Sequence, residues 1–316
     1  MNGTTALVTG GAGFIGSHLC DALLARGVRV RVVDDLSTGR AENVDPRCEM
    51  IEADVGDRDA LSRGMAGADV VFHLAARVTI RGSVDRFEDD ARTNLMGTLA
   101  VLAAAGQERV RRLVFASSMG VYADSPDGRP AAVDHPQRPI SPYGISKLAA
   151  ELYVLQIAPK LGIEPVALRL FNTYGPRQAY TPYVGVITIF VNRLLQGQDL
   201  VIFGDGQQSR DFVHVSDVVQ ANLLAMETDA VNRVYNVGTG IATTVQQVAD
   251  MLRQAIRPEA AITYESSRPE ELRYAIADIA ETRSGLGYEP TCLLADRIDE
   301  VIAYCKQSMT SGGSVA

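Results

Sequence analysis

The sequence lacks the basic excess of a nucleic-acid binder. It carries 30 lysines and arginines against 38 aspartates and glutamates, a net charge of −8 with an isoelectric point near 5.1. An acidic chain that holds an anionic ligand must do so with local groups, such as helix N-termini and a few chosen arginines. Cysteine is scarce as well. Cys20, Cys48, Cys292 and Cys305 form no CxxC and do not cluster with histidine, so no metal centre is expected and the thiols read as reduced, in a reducing compartment. No apolar run reaches the roughly 20 residues that a membrane helix needs, and the N-terminus enters its first strand-like run almost at once, with no signal-peptide pattern. The expectation is a cytoplasmic protein with no membrane and no nucleic-acid partner. There is no internal repeat and no low-complexity linker. Residues from about 308 to 316 are small and polar and are expected to form a disordered tail.

What is present is a chain of 316 residues, 47% hydrophobic, able to bury a substantial core. Its first half alternates strand-like runs at 5–9, 29–33, 49–53, 70–73 and 112–117 with helical patterns near 14–26, 58–65, 92–106 and 143–160. Short β-branched runs separated by helices of ten or more residues imply βαβ units, a parallel sheet and ligands at the strand C-termini. The second half is less regular, with strand-like runs at 165–170, 200–203 and 233–237 and helical patterns at 185–196, 216–226 and 245–256. The expected fold is therefore α/β, a doubly wound parallel sheet in residues 1–165. A smaller α/β substrate-binding domain follows in 166–316, some of its strands and helices returning to the first sheet.

Gly10, Gly13 and Gly16 lie between the strand Ala6-Leu7-Val8 and a helix beginning near Phe14 and Ile15. Glycines there allow a tight turn and let backbone approach a pyrophosphate that rests on the helix N-terminus. Taken alone, the triplet is equally a plain strand-to-helix turn. Asp34 supplies context, because it follows the second strand about 20 residues on, where a carboxylate accepts hydrogen bonds from a ribose diol and repels a 2′-phosphate. NAD is expected over NADP. Asp35 either shares that role or is solvated. Asp54, followed by Val55, is placed to meet an adenine amino group or to cap the helix that follows.

Tyr143 and Lys147 stand at i and i+4 on a predicted helix and so share a face. Pro142 marks the helix start and places Tyr143 in the first turn, where the positive end of the macrodipole favours a phenolate. A nearby ammonium and an oxidised nicotinamide should depress the phenol further, as general-base chemistry near neutral pH requires. Ser117 and Ser118 close the strand before it, where a hydroxyl can bond a substrate oxygen and pass its proton to Tyr143.

These motifs together resemble the extended short-chain dehydrogenase/reductase family, in its nucleotide-sugar epimerase branch, over nearly the whole chain. The carriers are Thr9-Gly10-Gly11-Ala12-Gly13-Phe14-Ile15-Gly16, Asp34-Asp35-Leu36-Ser37-Thr38-Gly39 and His73-Leu74-Ala75-Ala76. They continue with Asn94-Leu95-Met96-Gly97-Thr98, Ser117-Ser118-Met119-Gly120-Val121-Tyr122, the Tyr143–Lys147 pair, Arg169 to Arg177, Arg210 to Val215 and Arg268-Pro269. The resemblance implies a catalytic triad of Ser118, Tyr143 and Lys147. It implies NAD contacts along the first motifs (Ser37, Thr38, Gly39, Leu74, Ala75, Ala76 and Asn94 included), and a nucleotide diphosphate held by Asn172, Arg210 and Arg268. The guanidinium's planar fork suits such phosphates.

The same resemblance separates reaction types. The sugar 4,6-dehydratases carry an Asp-Glu pair after the hydroxyl residue, where this chain has Met119 and Gly120, so removal of water is not expected. In the 4-epimerases the tyrosine takes the proton of the sugar 4-hydroxyl while hydride passes to NAD. The keto sugar then turns about its diphosphate tether, and hydride returns to the other face. Ala275 aligns with the branch's size gate, where a small residue admits N-acetylated hexoses. Arg81 and Arg177 are candidates for a uronate carboxylate. A thymidine-linked sugar fits every motif equally. A reductase with net NAD(H) turnover is the nearest alternative, and a non-catalytic dinucleotide sensor would be expected to lack the tyrosine or the lysine. A homodimer through the helices near 92–106 and 143–160 is implied in the same way.

Overall fold

The alternation of apolar runs and helical patterns resolves, in the computed structural model, into a seven-stranded parallel sheet with helices on both faces. The structure describes residues 3–78, 82–125, 127–181, 185–267 and 272–310. The strands β1 (Thr5–Thr9), β2 (Arg29–Asp34), β3 (Glu49–Glu52), β4 (Val70–His73), β5 (Arg112–Ser118) and β6 (Glu164–Leu170) are joined by Arg233–Val237, which pairs with β6 at the sheet's edge. The order, from that edge, is Arg233–Val237, β6, β5, β4, β1, β2, β3. It reverses between β1 and β4, which makes the crevice above their C-terminal ends the ligand position of a doubly wound sheet.

Every residue of β1 is buried, as a central parallel strand covered on both faces requires. Its alternate side chains serve two cores. Ala6 and Val8 pack with Leu19 and Leu23 of the helix Phe14–Ala25, whereas Leu7 packs with Leu61, Met65 and Val101 on the opposite face. A third core, with Phe190, Leu200, Leu252 and Ile302, lies under the later helices Val186–Leu195, Val245–Ile256 and Leu294–Thr310.

Two sequence expectations are corrected here. Ser308, Met309 and Thr310 are not tail but the last turn of the helix Leu294–Thr310, which buries Leu294, Ile298, Val301, Ile302 and Cys305 at helical spacing; the rest of the expected tail, 311–316, falls outside the described residues. Asp54 does not cap the following helix. Its carboxylate accepts the Gly56 N–H at 2.6 Å, and Asp57 caps the helix Arg58–Met65, accepting the Asp59 and Ala60 N–H groups at 3.0 Å. Among the described residues, no helix is long and apolar enough to cross a membrane.

Candidate active site

A cleft of about 1070 Å³ opens above the C-terminal ends of β1, β4 and β5. One end is built by the turn after β1. Gly10 has φ +71°, and a Cβ on it would meet the Ala75 backbone nitrogen at 2.7 Å; a Cβ on Gly16 would lie 2.1 Å from the Gly10 carbonyl oxygen. Only glycine lets the loop, the helix Phe14–Ala25 and the strand-end residues Leu74-Ala75 approach this closely. Gly13 precedes that helix without any side-chain cap, so the first N–H groups face the cleft as an anion cradle.

Asp34, buried at the end of β2, accepts the Ala12 N–H and the Leu36 N–H, each at 2.9 Å. Each carboxylate oxygen keeps a free lone pair for a ribose hydroxyl. Burial raises this carboxyl and the backbone donors of Leu36 and Ala12 oppose the rise. Asp35 is occupied locally, by the Ser37 N–H at 3.0 Å and the Ser37 hydroxyl at 2.5 Å. Phe14, Ile15, Ser37, Thr38, Asp54, Val55, Leu74, Ala75 and Ala76 also line the cleft. These donors, cradle and acid fit a dinucleotide.

Two members of the expected cofactor set stand back from the wall. Gly39 lies behind Asp34, where a Cβ would meet Asp34 Oδ1 at 2.9 Å. Asn94 turns inward because residues Ala91–Met96 form a π-helical turn. Its amide receives the Arg77 N–H at 2.8 Å and donates to the Arg77 carbonyl at 3.1 Å and to Asp90 Oδ1 at 2.9 Å. It fixes the loop after β4. His73, at the end of β4, is also structural. Thr98 donates its hydroxyl to the Asn94 carbonyl at 2.6 Å, so it accepts from His73 Nε2 at 2.9 Å, and His73 Nδ1 accepts from Thr9 at 2.7 Å. Burial lowers this imidazole to about 3, with help from Lys147, and it stays neutral.

At the centre of the cleft, β5 ends on Ser118 and the helix Pro142–Ile157 begins beside it. Ser141 Oγ caps that helix by accepting the Gly144 N–H at 3.1 Å, and Pro142 occupies its first turn. Tyr143 and Lys147 therefore project together into the cleft, and Ser118 Oγ and the Tyr143 ring both lie against Gly120. The expected depression of the phenol is not what the protein alone provides. Burial pushes Tyr143 up to about 12, opposed by the Ser118 hydroxyl, and Asp90 adds to the rise. Burial also brings Lys147 down to about 8, with Asp90 and Glu151 working against it. Desolvation wins at both residues because each is buried at the cleft floor. Met119 lines the cleft and Gly120 donates its N–H to Ser118 Oγ at 3.1 Å; neither carries an acid or base.

The other end of the cleft is lined by Asn172, Arg177 and Arg210. Among the described residues Asn172 Nδ2 has no hydrogen-bond partner, and Arg177 pairs with Asp21 at 2.8 Å. Arg81 and Arg268 lie outside the described residues. Ala275 does not reach the cleft wall. Parallel pairing with Arg210 holds it beside a small cavity of about 10 Å³ that shares Met119, Phe171 and Leu272 with the cleft. The sequence reading passed over Gln208. It lines the cleft among Val201, Phe203 and Phe212, donates Nε2 to the Phe203 carbonyl at 2.8 Å, and leaves Oε1 without a partner. Its only signal was its place just after Gly204-Asp205-Gly206.

Comparison with known proteins finds relatives over nearly the whole chain. A model of the NAD dependent epimerase/dehydratase family covers residues 6–238. The UDP-glucose 4-epimerase of Thermotoga maritima, solved with UDP-glucose, superposes with a TM-score of 0.93 at 38% identity, covering 97% of this chain and 100% of that one. A UDP-N-acetylglucosamine 4-epimerase from Methanobrevibacter ruminantium, in complex with UDP-N-acetylmuramic acid, gives 0.92 at 32% identity, over 98% of this chain and 100% of that one. The UDP-glucose 4-epimerase of Thermus thermophilus, in complex with NAD, gives 0.89 at 35% identity, over 96% and 99%.

Proposed function

The chain belongs to the NAD dependent epimerase/dehydratase family, and on that premise we propose that it is an NAD-dependent 4-epimerase of a nucleotide-diphosphate hexose of the UDP-glucose type. The observation that carries this reading is the meeting of Ser118, Tyr143 and Lys147 at the floor of one cleft, followed by Met119 and Gly120 in place of an acid pair. The glycine turn, Asp34 and the uncapped helix at Phe14 would hold NAD, which supplies the hydride acceptor and donor at the sugar's C4. Tyr143 takes the proton of the sugar 4-hydroxyl at its phenol oxygen and later returns it. Ser118 lies beside that phenol and lowers it, and the Lys147 ammonium favours its anionic form. With Met119 and Gly120 beside them, nothing removes a proton from C5, so water stays on the sugar.

Asn172, Arg210 and Arg268 are the groups this reading assigns to the diphosphate, with Arg81 and Arg177 as candidates for a uronate carboxylate. The small residue at Ala275 is the basis for proposing that an N-acetylated hexose is accepted, although the cavity beside it, about 10 Å³, is too small for an acetamido group as it stands. In the same reading residues 1–165 chiefly hold the cofactor and 166–316 chiefly the nucleotide sugar, although β6 and Arg233–Val237 lie in the common sheet. The protein is read as cytoplasmic and as a homodimer. Ile145, Leu152 and Tyr153 are exposed apolar residues spaced i, i+7, i+8 on one helix face, and Met96 at the end of the π-helical turn is exposed as well.

The test is to incubate the purified protein with UDP-glucose, UDP-N-acetylglucosamine and UDP-glucuronate and follow the anomeric protons by NMR. The galacto-configured product of at least one, formed without added cofactor, is expected. No conversion of any of them, even with NAD supplied, would overturn the reading.

A further inference from the structure

Lys147 is 3% exposed, yet among the described residues it forms no ion pair. Its Nζ sits 4.4 Å above the centroid of the Phe115 ring, a favourable but weak partner for a buried cation. Two carboxylates approach it from the protein interior, and their situations differ. Glu151, one turn along the same helix, is already neutralised: Arg169 grips it with Nη2 to Oε1 at 2.5 Å and Nε to Oε2 at 3.0 Å, and Ser117 donates to Oε2 at 2.5 Å. Asp90 has no such cation. It is 1% exposed, it makes no ion pair among the described residues, and its oxygens accept from Ser146 Oγ at 2.5 Å and Asn94 Nδ2 at 2.9 Å.

The contacts suit a carboxylate: the Asn94 amide NH₂ can only donate to Oδ1, and Ser146 Oγ, 2.5 Å from Oδ2 and 3.0 Å from the Tyr143 carbonyl oxygen, joins Asp90 to the first turn of the helix Pro142–Ile157. The arrangement is also built with care. The π-helical turn at Ala91–Met96 brings Asn94 back onto Asp90, and Ser146, the neighbour of Lys147 in sequence, ties Asp90 to the catalytic helix. π-Helical turns are frequent at functional sites. The remaining charged or titratable groups that act on this pair are Arg77 from the loop after β4, His73 from β4, which is neutral, and Tyr143 on the same helix.

We propose that Asp90 is a positioning residue of the catalytic site, a buried counter-charge that keeps the Lys147 ammonium protonated on the dry floor of the cleft. The proposal rests on the reading that Tyr143 and Lys147 handle the substrate proton. Asp90 is the first group opposing the burial that lowers Lys147; burial raises Asp90 itself, and Ser146, Asn94, Lys147 and Arg77 oppose that rise. Asp90 also raises Tyr143. Removing its charge should therefore lower both groups and slide the whole pH–rate profile toward acid, whereas a merely structural loss would lower its height without moving it.

The chain is well suited to a direct measurement, because its lysines are Lys147, Lys160 and Lys306 alone. Lysine labelled with carbon-13 at Cε gives signals that can be titrated one by one, with the Lys147 signal assigned by its loss in Lys147→Arg. In Asp90→Asn the Lys147 midpoint is expected to fall by about one pH unit or more while Lys160 and Lys306 stay in place, and both limbs of kcat move to lower pH. An unmoved Lys147 midpoint in folded Asp90→Asn would overturn the proposal. Should that variant not fold, the wild type decides: the Lys147 signal must show a second inflection in the acid range as Asp90 takes up its proton, and a flat signal there overturns the proposal equally. Tyr143→Phe separates the two readings. If that variant keeps full turnover, the assignment of the catalytic base fails, while the lysine titration still reports on Asp90.

Discussion

At the scale of single residues, Tyr143 shows how far spacing reads and where it stops. The i, i+4 pair with Lys147 and the proline before it are visible in sequence, and the structure places both side chains in one cleft. The protonation state is not visible. Burial takes the phenol up to about 12 and the lysine down to about 8, so the protein's own groups leave the phenol un-ionised and the lysine still mostly charged at neutral pH. Ser118 is the group that lowers Tyr143. In Ser118→Ala the phenol should rise further, so the acid limb of kcat moves to higher pH and turnover at neutral pH falls on the order of 10²-fold. A pH–rate profile recorded alongside wild type checks this; a reduced but unshifted profile would assign Ser118 to substrate contact alone.

At the scale of elements, the core-facing patterns were legible because burial selects period 2 in strands and period 3.6 in helices. The helix Leu294–Thr310 was readable by the same rule, from Leu294, Ile298, Val301, Ile302 and Cys305, but the polar run at its end masked it. The π-helical turn at Ala91–Met96 had no such signature, since one residue per turn more or less leaves composition unchanged. Nor did the pair Glu151–Arg169, whose members come from a helix and from β6 and meet with side chains 1% and 2% exposed. Arg169 extends the network to the Tyr122 hydroxyl at 2.7 Å, which donates to Asn236 at 2.6 Å. Glu151→Gln removes one charge and strands the other, so it should cost about 3 kcal/mol or more in denaturant unfolding. A loss below about 1 kcal/mol, the range of exposed pairs, would show that water reaches Arg169.

At the scale of the whole molecule, the apolar face of the helix Pro142–Ile157 is the feature that a monomer leaves unexplained. Ile145, Leu152 and Tyr153 are each about half exposed. If this face joins two chains, Leu152→Arg combined with Tyr153→Glu should halve the mass in sedimentation while each chain keeps its fold by circular dichroism. Sedimentation of wild type as a monomer would remove the dimer from the proposal.

The order of motifs sufficed for the class of fold, and it marked residues that the fold gathers in one cleft, because glycine turns, caps and helix spacing are local and a chain carries them wherever it goes. Even the reversal of strand order follows from βαβ handedness, which leaves few alternatives. Tertiary structure alone decided which acids are neutralised and which are left to act. In sequence Asp90 and Glu151 are alike only as carboxylates, the first far from Lys147 along the chain and the second one helical turn after it. Only folding brings Arg169 to one of them, and only amide and hydroxyl donors to the other. The charge that remains depends on neighbours up to dozens of residues away, and on the exclusion of water that makes each neighbour count.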